Sequence, residues 1–471
     1  MSTLSRRQWL STAAAASVAP AVLRGQRRPP NLVFIMADDL GYGHLGCYGQ
    51  QKIKTPVLDR LAAEGVRFTH AYSGNTVCAP SRCTLMTGKH AGHCSVRGNA
   101  GGIPLQPTDV TLAETLKSAG YVNGCFGKWG LGEANTGHTP NDRGFDEFYG
   151  YLHQLHAHFY YTHFLWKNGR KHFLANRHDW RRDYTHDLIA AESLKFVRKN
   201  RHNPFFLYLP FTIPHAELLV PEDSLAEYQG VFPETPFTSA PRMHYAPHPT
   251  PKAALAGMIS RLDRSVGELL RTLDELNLRD NTLVVFTSDN GPDRDNGNDP
   301  DFFQAAGPFR GYKRDLYEGG IRVPMIARLP GRIPAGATSA VPWSFQDVLP
   351  TFAELAGASA PRPIDGRSIT RQLLEPNSPA GRAPVHDHLY WEVWDNGLTM
   401  QATRAGEWKA VRPSMGAPLE LYNLSADPGE RQNLAAAQPE TATRLASILE
   451  REHIPPPPQI EPDKPDGKRY I

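Results

Sequence analysis

Asn31-Leu-Val-Phe-Ile-Met-Ala37 is an unbroken apolar run that ends at Asp38-Asp39. A run without polar alternation is the mark of a strand buried on both faces. Thr282-Leu-Val-Val-Phe-Thr-Ser288 repeats the pattern and ends at Asp289-Asn290. Phe205-Phe-Leu-Tyr-Leu209 is a third such run, followed after a few residues by His215. Tyr121-Val-Asn-Gly-Cys-Phe126 is a weaker fourth, followed by Lys128, and Val323-Pro-Met-Ile-Ala-Arg328 a fifth with an irregular start at Pro324. Helical patterns fall between them, over residues 56–64, 111–118, 185–199 and 252–276. The last carries Leu255, Met258, Ile259, Leu262, Val266 and Leu269 at helical spacing. Strands alternating with helices predict an α/β fold: a large mixed, mostly parallel sheet with helices on both faces.

The chain has 471 residues, enough for one large α/β domain and a smaller one. A catalytic domain is expected over 29–378. A stretch rich in proline, serine and alanine at 375–384 marks the break. Short strand-like pieces at 388–393, 398–403, 408–411 and 420–422 and a helix at 441–452 then predict a C-terminal α+β subdomain over 379–453. Residues 454–471 begin with a proline run and read as an extended tail. A formal net charge of +3 argues against a nucleic-acid partner held by a strong basic field.

At the N-terminus, Arg6-Arg7 precedes a short alanine-rich apolar run. Residues 1–28 read as a twin-arginine-type export signal and leader, too short for a stable membrane span. The expectation is an exported protein, periplasmic or extracellular, handled by the twin-arginine machinery. None of the five cysteines, Cys47, Cys78, Cys83, Cys94 and Cys125, forms a Cys-x-x-Cys pair, so a zinc finger or thioredoxin-like centre is unsupported.

The polar residues just past the strand ends carry the chemistry. In open α/β sheets, ligands bind outside the carboxyl ends of the strands. Asp38, Asp39 and Asp289 would repel one another there without a cation. Together with the Asn290 carbonyl oxygen they make an all-oxygen set suited to Ca²⁺, with Mg²⁺ as second choice; the set lacks the histidine and cysteine that zinc favours.

Cys78-Ala-Pro-Ser-Arg82, continued to Thr87-Gly88-Lys89, resembles the formylglycine signature of type I sulfatases, of the alkaline-phosphatase-like superfamily. Further segments share the resemblance, which covers most of the chain: Ala37-Asp-Asp-Leu-Gly41, Gly127-Lys-Trp129, Pro214-His215, Ser288-Asp-Asn-Gly291, Lys313 ahead of Tyr317-Glu-Gly-Gly-Ile-Arg322, Asp365-Gly-Arg-Ser368 and Glu420-Leu-Tyr-Asn-Leu424. The resemblance implies that modifying machinery converts Cys78 to Cα-formylglycine, whose hydrate is the nucleophile and also touches the metal. It implies that Asp38, Asp39, Asp289 and Asn290 hold that metal and that Arg82 stabilises the hydrate. Lys128 and Lys313 would bind the sulfate oxygens, and His215 would protonate or hydrogen-bond the departing oxygen. The expected enzyme is an arylsulfatase-like sulfuric ester hydrolase whose substrate is a sulfated carbohydrate or an aryl sulfate.

One position departs from the family. After Gly-Lys-Trp a histidine is usual, in contact with the formylglycine; here the residue is Gly130. Histidines of the following segment, His156 and His158, are the expected substitutes and are assigned to substrate binding. Two alternative functions stay open: a phosphate or phosphonate monoester hydrolase of the same superfamily, and a catalytically impaired sulfated-glycan-binding protein.

Overall fold

The structure is a computed structural model that describes residues 28–177, 180–238 and 245–459. The leader expected at 1–28 lies outside these residues except for Arg28, and the tail is described only as far as Gln459. No helix among the described residues is long and apolar enough to cross a membrane.

The opening run forms the strand Asn31–Ala37, and all seven residues are buried. It lies near the middle of a ten-stranded sheet, parallel to Thr282–Ser288 on one side and to Phe205–Pro210 on the other. Val122–Lys128 and then Glu147–Tyr151 continue the parallel array. The flanks turn antiparallel. Met325–Arg328 pairs antiparallel with Thr282–Ser288, and Phe164–Lys167 with Glu147–Tyr151.

The reason for the unbroken apolar run is visible in the packing. Val33, Ile35 and Ala37 point into one core, Leu32, Phe34 and Met36 into another. The first core receives the helix Pro251–Glu275 through Leu255, Met258, Ile259, Leu262, Val266 and Leu269. The second receives the helix Val348–Ala356, whose Phe352 meets Phe34 edge-on at 6.1 Å between ring centres. Each fully buried Leu, Ile or Phe contributes about 1.5–3 kcal/mol, so the two layers hold the strand ends in place from both sides.

Residues 389–423 form a four-stranded antiparallel sheet, Leu389–Trp394, Leu398–Ala405, Trp408–Arg412 and Glu420–Asn423, against which the helix Pro439–Arg451 packs. Trp391 of this sheet donates its indole N–H to the Ser73 carbonyl at 3.0 Å and lies 5.1 Å from Tyr72. The small sheet therefore sits on the segment leading into Cys78.

Candidate active site

The register of the central strands brings the site together. Ala37 and Ser288 are partners on adjacent parallel strands, so Asp38 and Asp289 emerge side by side. Asp39 has φ 63, a left-handed conformation that Asp tolerates better than most side chains. The turn lets the Asp39 amide donate to Asp289 Oδ1 at 3.2 Å. Asn290 Nδ2 donates to Asp39 Oδ1 at 2.7 Å, while Asn290 Oδ1 is buried with no protein donor.

Cys78 is the first residue of the helix Cys78–Thr87, in which every side chain is buried. Its Sγ lies 3.3 Å from Asp38 Oδ1. The Ala79 amide, one of the free N–H groups of that helix start, donates to Asn99 Oδ1 at 2.9 Å. One turn on, the fully buried Arg82 donates to Asp38 Oδ2 at 3.1 Å, to Asp289 Oδ2 at 2.7 Å and to the Lys128 carbonyl at 2.8 Å. A single guanidinium thus ties the ends of three strands.

Lys128 Nζ donates to Asp38 Oδ2 at 2.7 Å, and Lys313 Nζ to Asp39 Oδ2 at 2.7 Å. Lys313 Nζ also lies 3.0 Å from His215 Nε2. The other ring nitrogen of His215 faces the Ala216 carbonyl, which fixes the tautomer: Nδ1 donates and Nε2 accepts. Burial and the Lys313 charge push His215 down to about 3, so the imidazole is neutral.

Electrostatics divides the carboxylates. Asp38 meets the full cost of burial, yet the cations of Lys128, Arg82 and Lys313 hold it below the usual carboxylate range. Burial pushes Asp39 and Asp289 up to about 6, with neighbouring carboxylates adding to the shift. Two acids that resist ionisation beside an unpartnered amide oxygen form a set that a cation would complete. Carboxylate, thiol and imidazole atoms of Asp38, Asp39, Cys78 and His215 all lie within 4.8 Å of one another. The donors present fit a hard divalent ion held by Asp38, Asp39, Asp289 and Asn290.

All nine residues expected at the centre therefore join one network. The two further histidines separate. His158 stacks on His215 at 4.1 Å between ring centres and bonds the Tyr245 hydroxyl at 2.7 Å. His156 is placed elsewhere, which corrects its expected part in substrate binding. It packs against Tyr151 and Phe164 and bonds the Thr162 hydroxyl at 2.9 Å. It is fully buried among Tyr151 and Phe164, whereas His158 lies against His215. Phe159, Tyr160 and Phe164 are core as well.

Asn99, which holds the Ala79 amide, and Tyr245, which bonds His158, border the site, and Gln154 lies against Gly130. They lie in loops without periodicity, and no motif marks them. The five cysteines are all free thiols. Burial pushes the Cys78 thiol far above its ordinary value, with Asp38 adding to the shift.

A model of the sulfatase family matches residues 30–358, and one for the N-sulphoglucosamine sulphohydrolase C-terminal region matches residues 309–453. The chain belongs to the sulfatase family. N-acetylgalactosamine-6-O-sulfatase of Bacteroides thetaiotaomicron is 30% identical over 507 residues, spanning 89% of this chain and 92% of that protein. Arylsulfatase A of Homo sapiens is 33% identical over 482 residues, spanning 89% and 87%. Among solved structures, Ps i-CgsB in complex with k-i-k-neocarrahexaose superimposes with a TM-score of 0.77 at 29% identity, over 90% of this chain and 92% of that one. The phosphonate monoester hydrolase of Agrobacterium radiobacter shares the fold, with a TM-score of 0.65 at 22% identity over 90% and 96%. The enzyme is a sulfuric ester hydrolase of alkaline-phosphatase-like fold, and its family generally works through a formylglycine and a metal.

Proposed function

We propose that this sulfatase is exported, binds Ca²⁺ through Asp38, Asp39, Asp289 and Asn290, carries formylglycine at position 78, and removes sulfate from a carbohydrate. The observation that carries the reading is the buried Cys78 at the head of its helix, 3.3 Å from Asp38 and beside two lysines. Its raised pKa makes the unmodified thiol a poor nucleophile at neutral pH. The hydrated aldehyde supplies two hydroxyls on one carbon, one to attack sulfur and one to expel sulfate without help from water.

The chain's own groups do the rest. Arg82 holds Asp38 and Asp289 in position. The Lys128 and Lys313 ammonium groups can turn to the sulfate oxygens and offset the charge that builds there. His215, its tautomer held by the Ala216 carbonyl, shares a proton with Lys313 beside the departing oxygen. The names of the relatives support a sugar substrate: one acts on N-acetylgalactosamine-6-O-sulfate by name, and another structure holds a neocarrahexaose. So does a groove of about 910 Å³ lined by Val77, Asn99, Arg314, Trp394, Asn396 and Met400, which opens next to Cys78 and is large enough for sugar rings. A cavity of about 670 Å³ beside Arg28, Asn31 and Asn277 lies at the opposite ends of the strands and is not part of the site.

Mass spectrometry of the peptide spanning residues 68–82, from protein made in its native host, tests the aldehyde. Protein so modified should release sulfate from sulfated mono- and oligosaccharides, lose turnover with chelator, regain it with Ca²⁺, and fall to background as Cys78→Ala. Faster turnover of aryl phosphates than of aryl sulfates would favour the phosphate or phosphonate reading instead. Glycan binding without sulfate release would favour an impaired enzyme.

A further inference from the structure

Gly130 stands where the family usually has a histidine, and another side chain fills the space beside it. The strands Val122–Lys128 and Glu147–Tyr151 run on together past their ends: the Trp129 amide donates to the Tyr151 carbonyl and the Gly130 amide to the Leu152 carbonyl. That pairing brings Gln154 over Gly130. A Cβ at position 130 would stand 2.8 Å from Gln154 Nε2 and 3.1 Å from its Cδ, so the carboxamide occupies the space a larger side chain would take. The base of Gln154 and the ring of His153 border Gly101, where an added Cβ would lie 3.2 Å from Gln154 Cβ and 2.9 Å from His153 Cε1. Gly101 is two residues past Asn99, which holds the Ala79 amide next to Cys78. Gln154 is thus wedged between the Lys128 segment and the loop that supports the nucleophile.

Its hydrogen-bonding state sets it apart. Gln154 is 4% exposed, and neither Nε2 nor Oε1 has a protein partner. Leaving one such buried group unsatisfied costs about 1–3 kcal/mol, a cost that persists where function uses it. A carboxamide presents an acceptor and a donor side by side. The bound state offers their complement: a hydroxyl on residue 78 that donates, and a sulfate oxygen that accepts.

We infer that Gln154 takes the place of the imidazole missing at Gly130, its Oε1 accepting from the free hydroxyl of the hydrated aldehyde and its Nε2 donating to a sulfate oxygen. This inference rests on the proposed sulfatase chemistry at Cys78. It names Gln154 as a catalytic residue that binds and orients. A carboxamide does not titrate near neutrality, so position 154 moves no proton and adds no limb to the pH profile.

Three variants of the modified, calcium-loaded protein test it: Gln154→Ala, Gly130→His, and the two together. Inorganic sulfate is the binding probe, read by titration calorimetry alongside kcat, KM and melting temperature. Gln154→Ala should weaken sulfate binding by about tenfold or more, as expected for losing a hydrogen bond to a charged group, and lower kcat. Its melting temperature should change little, because the carboxamide bonds nothing in the protein. Gly130→His alone should destabilise the protein, since the new side chain meets Gln154 and the backbone there has φ +74. The double variant has room for the imidazole and should regain sulfate affinity over Gln154→Ala. Unchanged sulfate affinity and kcat in Gln154→Ala would overturn the inference. So would a lowered melting temperature with unchanged sulfate affinity, the pattern of a packing residue. Failure of the native protein to bind sulfate or cleave any sulfate ester would instead remove the sulfatase reading itself, and this inference with it.

Discussion

Arg82 shows how much one side chain can carry in this molecule. It is fully buried, and its guanidinium meets two carboxylates and a strand-end carbonyl. Replacing it removes the cation and leaves Asp38 and Asp289 facing each other in a desolvated pocket. Arg82→Met should therefore lose about 3–5 kcal/mol of stability, the range for breaking a buried ion pair from one side. Urea unfolding measures it. A loss below about 1 kcal/mol would mean that water reaches the pocket and screens the carboxylates. At the same scale, Gly291 is set by contact: a Cβ there would stand 2.0 Å from the Gly319 carbonyl oxygen, so the turn after Asn290 closes only on glycine.

Among the elements, the helix Cys78–Thr87 and the four-stranded C-terminal sheet decide where the nucleophile sits. They were unequally legible. The strands Leu389–Trp394 and Leu398–Ala405 follow the expected pieces within a residue or two, because β-rich runs separated by turn residues mark themselves. The helix Cys78–Thr87 does not: with all ten residues buried it has no polar face, and so no period to read. The strands Phe164–Lys167 and Arg170–Phe173 escaped as well, being short, and the second is exposed throughout. The small sheet is fastened to the short helix Glu318–Ile321 by a buried charge cluster. Lys409 Nζ lies 3.0 Å from Glu318 Oε1, and Tyr72 and Arg322 both bond Glu318 Oε2. Lys409→Met removes the buried cation that Glu318 and Glu430 share and should cost about 3 kcal/mol or more. Calorimetry should show the C-terminal unit loosening first, with activity lost at a lower temperature than in the parent. An unaltered unfolding profile would rule out this fastening.

On the scale of the whole molecule, the end of the C-terminal helix returns to the catalytic unit through Glu452. Its carboxylate faces His90 at 3.3 Å and His388 at 3.1 Å. The His90 hydrogen bond, more than any other contact, draws Glu452 from 4.5 down to about 2. A depressed folded-state value means stability that is complete above about pH 4.5 and is lost as pH falls toward 2. Acid unfolding of Glu452→Gln should lack that part of the pH dependence, while stability near pH 7 falls modestly because the carboxylate is partly exposed. Matching acid limbs in the two proteins would show that the junction does not report protonation of Glu452.

By itself the sequence determined the strands, the family and the reactive centre, because unbroken apolar runs and Cys78-Ala-Pro-Ser-Arg82 are local patterns that survive any neighbourhood. It also exposed the gap at Gly130. Only the tertiary structure decided which side chain faces that gap. His156, His158 and Gln154 lie within five residues of one another, and their directions depend on how the strand Glu147–Tyr151 ends beside Val122–Lys128. That pairing turns His156 into the core, stacks His158 on His215, and leaves Gln154 over Gly130 with both polar atoms free. Side-chain direction past a strand end is set by partners far along the chain, and no local pattern encodes it.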